Sequence, residues 1–167
     1  MSMASGTRRF LSLLALTLPL LASAGEIFAV RINADFPSVR SEVVEAIESS
    51  GLIVTATIPF NQMLERTASD LGKKRSPYAQ AEIVQFCSAR LAWQLIEEAP
   101  ENLTLCPLSI AVFEIHGQSG VQLAYRVPGK ETAGRVKAEV LLNSLLQRIG
   151  QAFPNTTVNN KKTGNRP

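Results

Sequence analysis

Two apolar segments joined by a short loop constrain the fold of this chain more than any other feature. The segments LSIAVFEI (108–115) and VQLAYRV (121–127) are rich in β-branched and aromatic residues, and HGQSG separates them. A loop of this length with two glycines is typical of a β-hairpin. Because consecutive strands joined by a tight turn run antiparallel, the hairpin disfavours an all-parallel, doubly wound sheet.

The rest of the chain alternates between strand and helix patterns. We predict strands at 27–32, 52–58 and 81–87, an exposed loop at 72–80, and helices that begin after Asp35, Asn61, Ser88 and Thr132. The last helix carries a broad apolar stripe: Val136, Val140, Leu142, Leu145, Leu146 and Ile149. The expected fold is α+β, with a mixed, mainly antiparallel sheet of about five strands and helices packed on one face.

The two ends of the chain differ from its middle. Arg8 and Arg9 precede an apolar run over 10–22, and Ala22-Ser23-Ala24 supplies the small residues of a cleavage site. We predict a cleavable Sec-type signal peptide at 1–24, because the run is shorter than the ~20 residues of a membrane-spanning helix. Residues 25–154 are then one domain and residues 155–167 a disordered polar tail. The predicted location is periplasmic or secreted, with no membrane association after cleavage.

Charge placement argues against a nucleic-acid partner. The whole chain has 17 basic and 14 acidic residues and a sequence pI of about 9.1. Five of the basic residues and none of the acidic ones lie in 1–24 and 155–167, which leaves 12 and 14 for the predicted domain. The domain is therefore slightly acidic, and we expect no nucleic-acid binding.

The two cysteines are the strongest candidates for a chemical role. Cys87 ends a predicted strand just before a helix, and Cys106 follows that helix. In an exported chain two cysteines commonly form a disulfide, and the connecting segment is long enough to bring this pair together. Cys87 at a helix N-terminus could instead be a reactive thiolate, which would make the pair redox-active. Two inert buried thiols are the third interpretation.

Other chemistry has little support in the sequence. There is no phosphate-binding loop, no nucleophile elbow and no metal-ligand motif, so we predict no catalytic residues, no metal site within one chain and no cofactor. His116 is expected to be a solvated turn residue. Phe86, Ser88 and Trp93 could line a pocket, although aromatic residues in such patterns are more often part of the core.

The segment FCSARLAWQLIEEAPENLTLCPLSIAVFEI (86–115) resembles the family known as domain of unknown function 302, or DUF302. The resemblance rests on Cys87 at a strand end, on Cys106-Pro107 before an apolar strand and on Phe113-Glu114 near the end of that strand. It extends over about 27–150. It implies a compact α+β fold, frequent dimerisation and no established activity.

The leading hypothesis is a periplasmic binding or accessory module, with an unidentified small molecule or protein as its partner, rather than an enzyme. One alternative is a thiol-based redox or sulfur-handling protein that uses Cys87 and Cys106. Another is a haem- or metal-binding homodimer in which each chain supplies a cysteine and His116. A homodimer is expected to form by pairing of 121–127 as an edge strand across two chains.

Overall fold

The computed structural model describes residues 25–154, which form five strands and four α-helices. The predicted signal peptide and polar tail lie outside the described residues. Two 3₁₀ turns, Ser69–Leu71 and Pro100–Leu105, complete the fold. The elements in chain order are β1 (Ile27–Ile32), α1 (Phe36–Ser49), β2 (Ile53–Ile58), α2 (Phe60–Thr67), β3 (Tyr78–Cys87), α3 (Ala89–Glu98), β4 (Leu108–Ile115), β5 (Val121–Arg126) and α4 (Ala133–Ala152).

The five strands form one sheet in the order β1-β5-β4-β3-β2, and every neighbouring pair is antiparallel. The predicted hairpin is therefore confirmed as β4 and β5. Gly120 fixes the start of β5 against β1, since it has a φ of +76° and an added Cβ would lie 2.6 Å from the Ile32 carbonyl oxygen. The expectation that 121–127 is an edge strand is wrong, because β1 and β4 flank β5. The edges of the sheet are β1 and β2.

Helices α1, α3 and α4 cover one face of the sheet, and the core lies between the two layers. Strand side chains on that face are almost fully buried, and they pack with the apolar sides of α1, α3 and α4. The register places a second set on the opposite face, which we call the open face: Ile27, Ala29, Arg31, Ala81, Ile83, Gln85, Ser109, Ala111, Phe113, Gln122, Ala124 and Arg126. Most of these are only partly buried. The α+β fold with helices on one face is therefore as predicted.

Three of the four helices begin where the sequence predicts. The side chains of Asp35, Ser88 and Thr132 each accept a hydrogen bond from the backbone N–H three residues further on, at 3.0, 3.4 and 3.4 Å. These bonds satisfy donors that the first turn of a helix leaves free. Within residues 25–154, no helix combines the length and the apolar character needed to cross a membrane.

The region around α2 differs from the prediction. Asn61 does not cap this helix, since Pro59 occupies the cap position and the Asn61 amide donates to the Ala79 carbonyl at 3.2 Å. The helix stops at Thr67, and Leu71 in the following 3₁₀ turn is 69% exposed. The predicted loop 72–80 is shorter than expected, because β3 already begins at Tyr78.

Apolar spacing also overestimated burial in two elements. Val136 and Val140, which we expected in the core, are 42% and 62% exposed, and Ala138 is buried in their place. In β2 the alternation of apolar residues with threonines favours one buried face, but the register shifts between Val54 and Ala56, and both Ala56 and Ile58 are exposed. Both cases show side chains whose sequence pattern fits burial but whose element is covered on fewer sides than the pattern implies.

Candidate functional site

The cysteines lie close to each other at one end of the sheet. Phe86 in β3 pairs with Leu108 in β4, so the next position of β3, Cys87, lies near the segment that carries Cys106 and Pro107, although Cys106 packs against the core and Cys87 follows the alternation of the open face. Both cysteines are half-buried free thiols. Burial raises the pKa of the Cys106 thiol, and the Cys87 thiol raises it further. A protonated thiol is a poor nucleophile, so Cys106 is not set up as a reactive thiolate.

The other predicted site residues have structural roles or face solvent. Phe86 has no exposed surface and belongs to the core, so it lines no open pocket. Trp93 is 65% exposed on α3. Ser88 caps α3 and also borders a shallow cavity of about 200 Å³ between α3 and α4. The structure therefore does not bring Phe86, Ser88 and Trp93 together into one pocket wall.

His116 is remote from the cysteines. It is exposed beyond the end of β4, whereas Cys106 lies just before the start of that eight-residue strand. At ~3.3 Å per residue the strand separates them by roughly 26 Å. Among residues 25–154 there is no group of three or more histidine, cysteine or acidic side chains arranged to hold a metal ion. A site that combined cysteine and His116 would need two chains.

A cavity of about 280 Å³ opens at the end of the sheet where β4 begins and β5 ends, and we call it the end cavity. Its wall is mostly apolar. The lining residues are Ile27, Ile83, Thr104, Leu105, Pro107, Leu108, Ser109, Ala111, Ala124, Tyr125, Arg126, Pro128 and Leu142. Leu105 and Pro107 flank Cys106, so the end cavity and the cysteine pair share one segment of chain.

Arg126 is the single charged residue in the lining of the end cavity. It is exposed, and it forms no ion pair with a carboxylate of residues 25–154. The strand residues of the open face include a second cation, Arg31, and no acid. Arg31 is already engaged, since its guanidinium donates to the Ser119 carbonyl at 3.2 Å and to Gln118 Oε1 at 2.9 Å. Arg126 is thus the cation that remains available to a ligand.

A buried polar network supports the wall of the end cavity, and the sequence analysis missed it. The Asn102 amide donates to the Leu95 carbonyl at 3.0 Å, and its oxygen accepts from Arg135 Nε at 2.9 Å. Arg135 also donates to the Pro128 carbonyl at 2.8 Å. Asn102 begins an Asn-Leu-Thr glycosylation sequon, but its side chain is 1% exposed and is not accessible as an acceptor in the folded chain. Asn102 follows Pro100 by two residues, and a helix usually ends before a proline. This position just after a helix end is the one local feature of the sequence that indicates a structural role for Asn102.

Comparison with known proteins agrees with this fold. The family model described as domain of unknown function DUF302 matches residues 28–157. The chain belongs to the DUF302 family. The crystal structure of an uncharacterized conserved DUF302 protein from Bacillus stearothermophilus is similar to this DUF302 domain, with a TM-score of 0.61 and 14% sequence identity. The match covers 74% of this chain and 97% of that chain. At this identity the likeness concerns the fold alone.

A search of curated proteins finds no match to this DUF302 chain. The family and the crystal structure are both described as uncharacterised, so neither assigns a reaction or a ligand. What the domain binds must therefore be argued from its own side chains.

Proposed function

We propose that this DUF302 chain is an exported binding module, periplasmic or secreted, whose end cavity takes a small apolar molecule that carries a carboxylate. The observation that carries the proposal is Arg126, a cation without an ion-pair partner in the described chain, at a cavity otherwise lined by neutral residues. Export rests on the sequence of residues 1–24.

Size and chemistry define the ligand class. Ligand pockets for drug-sized molecules usually measure about 300–1,000 Å³ and combine apolar walls with a few polar groups. The end cavity, at about 280 Å³, lies just below that range, so its ligand is smaller. The guanidinium of Arg126 offers the paired donors that a carboxylate accepts. Ser109 and Thr104 add hydroxyl groups at the same wall.

Two carboxylates and their neutral amides test this proposal. Sodium hexanoate and sodium benzoate are titrated into the mature protein, with hexanamide and benzamide as matched neutral probes, and backbone amide shifts are followed by NMR. We expect the carboxylates to shift the amides of Ala111, Ala124 and Arg126 more strongly than the neutral probes do. Arg126→Gln should weaken carboxylate binding about tenfold, as loss of a charge-assisted hydrogen bond predicts.

Arg66→Gln is the matched control, because Arg66 is an exposed cation on α2 outside the lining of the end cavity. It should leave the carboxylate affinities unchanged. Equal binding of amides and carboxylates would remove the anionic part of the proposal. If no probe perturbs these amides at millimolar concentration, the end cavity is not a binding site for this class of molecule.

The cysteine pair supports a second candidate, a disulfide formed in the oxidising compartment. In support, the register brings Cys87 near the segment that carries Cys106, and the raised pKa of the Cys106 thiol disfavours a thiolate at that position. The reduction potential of the pair distinguishes the two roles. A value below about −300 mV is expected for a structural bond, whereas a value of roughly −120 to −200 mV would indicate a thiol-based redox protein.

A further inference from the structure

Within the described part of the chain, the edge strand β1 leaves some backbone groups without a strand partner. The Val127 N–H donates to the Glu26 carbonyl at 2.8 Å, and β1 pairs with β5 in one unbroken register from there to Ile32. In antiparallel pairs alternate residues exchange hydrogen bonds, so Phe28 and Val30 bond to β5. The N–H and C=O groups of Ile27, Ala29 and Arg31 then point to the open edge, where no described strand lies.

The other edge of the sheet is protected, and β1 is not. Strand β2 has a register shift beside Thr55 and ends at Pro59, two features that prevent further strand pairing. Strand β1 has no register shift and no proline. Its one charged residue, Arg31, is held on the loop of the β4–β5 hairpin by its bonds to Gln118 and Ser119. Among residues 25–154, nothing pairs with the outer edge of β1, which can therefore accept another strand.

A groove runs between β1 and α4, directly beside this edge. Its volume is about 590 Å³, twice that of the end cavity. We call it the β1–α4 groove, and its lining contains no charged residue: Phe28, Val30, Ile32, Asn143, Leu146, Gln147, Gly150 and Gln151. The exposed Val136 and Val140 lie on the same side of α4 as Asn143 and Gln147 at 100° per residue. The groove therefore continues as an apolar strip along the helix.

The spacing of the groove matches an extended peptide. Phe28, Val30 and Ile32 repeat every two residues along a strand, which is ~6.6 Å. Asn143, Gln147 and Gln151 repeat every four residues along a helix, which is ~6 Å. Side chains on one face of an added strand recur at nearly the same interval. Each of these side chains can therefore enter between β1 and one of the side-chain amides of α4.

One end of the groove is acidic. Tyr125, which stacks on Phe28 with ring centroids 5.2 Å apart, has its pKa raised to about 12, first by burial and then by the carboxylates of Glu139 and Glu26. Glu139 lies one helical turn before Asn143, to which the Tyr125 hydroxyl donates, so the Glu139 carboxylate is near the Phe28 end of the groove. A basic residue of a bound segment would be favoured there.

We propose that the β1–α4 groove binds an extended segment of another protein, which adds to β1 as a sixth strand, inserts alternate apolar side chains and places a basic residue beside Glu139. This is recognition by β-strand addition, in which backbone bonds supply affinity and alternate pockets supply specificity. It concerns a different surface from the end cavity, so the two proposals stand or fall separately.

A displayed library of random nonapeptides, selected on the mature protein, tests the proposal. We expect enrichment of sequences with apolar residues at alternate positions and a lysine or arginine at one end. The best peptide is then synthesised and its affinity measured for four variants. Ala29→Pro removes an outward N–H and should weaken binding tenfold or more, while an edge strand tolerates proline at such a position. Ala29→Ser keeps the N–H and should bind like the wild type.

Two further variants address the groove and its acidic end. Gly150→Leu fills the groove from α4, where an added Cβ meets no atom within 4 Å, and should also abolish binding while leaving the fold intact. Glu139→Gln should weaken binding of the basic-ended peptide by about two- to fivefold and reduce its salt dependence.

The outcomes separate this proposal from its competitors. If Gly150→Leu abolishes binding and Ala29→Pro does not, the peptide occupies the groove without pairing with β1, and strand addition is wrong. If the wild type is a dimer by light scattering and Ala29→Pro is a monomer, a second copy of the chain occupies β1 instead. If the library yields no peptide above background, the proposal is also wrong. The same holds if neither Ala29→Pro nor Gly150→Leu reduces binding of the peptide.

Discussion

At the scale of single residues, Asn102 connects three parts of the chain that the sequence keeps apart. Its amide and carbonyl groups join the end of α3 to Arg135 in α4, and Arg135 in turn holds the Pro128 carbonyl. Pro128 lines the end cavity, as does Leu105, which follows Asn102 by three residues. Because Asn102 is 1% exposed, water cannot readily replace either bond.

Asn102→Ala should therefore be strongly destabilising. The substitution leaves the Leu95 carbonyl and Arg135 Nε without their partner, and an unsatisfied buried group costs about 1–3 kcal/mol. Chemical denaturation of both proteins measures the difference. Thr104→Ala is the control, since the Thr104 hydroxyl bonds to the Glu101 carbonyl at an exposed site and its loss should change the unfolding free energy by less than about 0.5 kcal/mol. Equal effects of the two substitutions would show that the network contributes nothing.

Tyr125 provides a pH-dependent prediction. Its hydroxyl donates to Asn143 Oδ1 at 2.7 Å, and burial followed by the charges of Glu139 and Glu26 raises its pKa from 10.0 to about 12. The pKa of Tyr125 is higher in the folded chain than in the unfolded chain, so its contribution to the free energy of unfolding is fully present below pH 10. This contribution falls by on the order of 2 kcal/mol as the pH rises towards 12.

The phenolate absorbance of Tyr78→Phe, which retains Tyr125 as the single tyrosine, should show a midpoint near 12. Tyr125→Phe is the control for stability, and its unfolding free energy should decline less over the same pH interval. A midpoint near 10 for Tyr125 would contradict the burial and the acidic surroundings described here.

These residues mark the limit of what the sequence could predict. Asp35, Ser88 and Thr132 were identified as helix caps because each bonds to a group three residues away, which a local pattern reveals. Asn102 and Arg135 are 33 positions apart, and their pairing depends on the packing of α3 against α4. Arg126 was also missed, since a charged residue at the end of an apolar strand is ordinary until the cavity beside it is seen.

At the scale of secondary structure, α3 supplies a second cap for the start of α4, in addition to Thr132. The Gly134 N–H lies 2.9 Å from each carboxylate oxygen of Glu98, and Gln94 donates to Oε1 at 2.8 Å. Hydrogen bonds from the side chains of Thr132 and Gln94, with a smaller contribution from Gly134, lower the pKa of Glu98. A carboxylate at a helix N-terminus is also stabilised by the helix dipole. Glu98 thus joins the two helices through charge as well as packing.

Glu98→Gln should lower the unfolding free energy at neutral pH. Because the folded pKa of Glu98 lies below its ordinary value of 4.5, the stability that it provides is present above pH 4.5 and is lost as the pH falls through the folded pKa. The difference between wild type and variant should therefore shrink in acid, which denaturation at several pH values measures. Glu97→Gln, a change at the exposed neighbouring position, should show no such pH-dependent difference. A deficit that stayed constant into acid would rule out the charged cap.

Element positions were predictable where neighbours along the chain decide them, and strand order was not. The bounds of β1 and β4 were predicted to the residue, and the hairpin followed from its loop. The placement of β1 beside β5 depends on contacts between the two ends of the domain, so 121–127 was wrongly expected at an edge. The exposure of Val136 and Val140 has the same origin, since α4 lies along β1 with one side uncovered.

At the scale of the whole molecule, export and the cysteine pair are linked. If the chain is exported as its first residues predict, Cys87 and Cys106 meet an oxidising environment while both lie at the same end of the sheet. A bond between them would close a loop of about 20 residues that contains all of α3 and the Pro100–Leu105 turn. This segment also supplies Thr104 and Leu105 to the end cavity, so a bond there would hold one of its walls.

We expect protein purified from the oxidising compartment to contain this disulfide and to lose roughly 3 kcal/mol of unfolding free energy on reduction, because a closed loop of this length restricts the unfolded chain by about that amount. Alkylation followed by mass spectrometry identifies the bond, and denaturation with and without reductant measures its effect. The double variant Cys87→Ser/Cys106→Ser is the control, and reductant should not change its stability. Two alkylated thiols in the oxidised preparation would show that the disulfide is not formed. If the disulfide is present but its reduction leaves the free energy of unfolding unchanged, α3 is held in place by packing and by Glu98 and Asn102 alone.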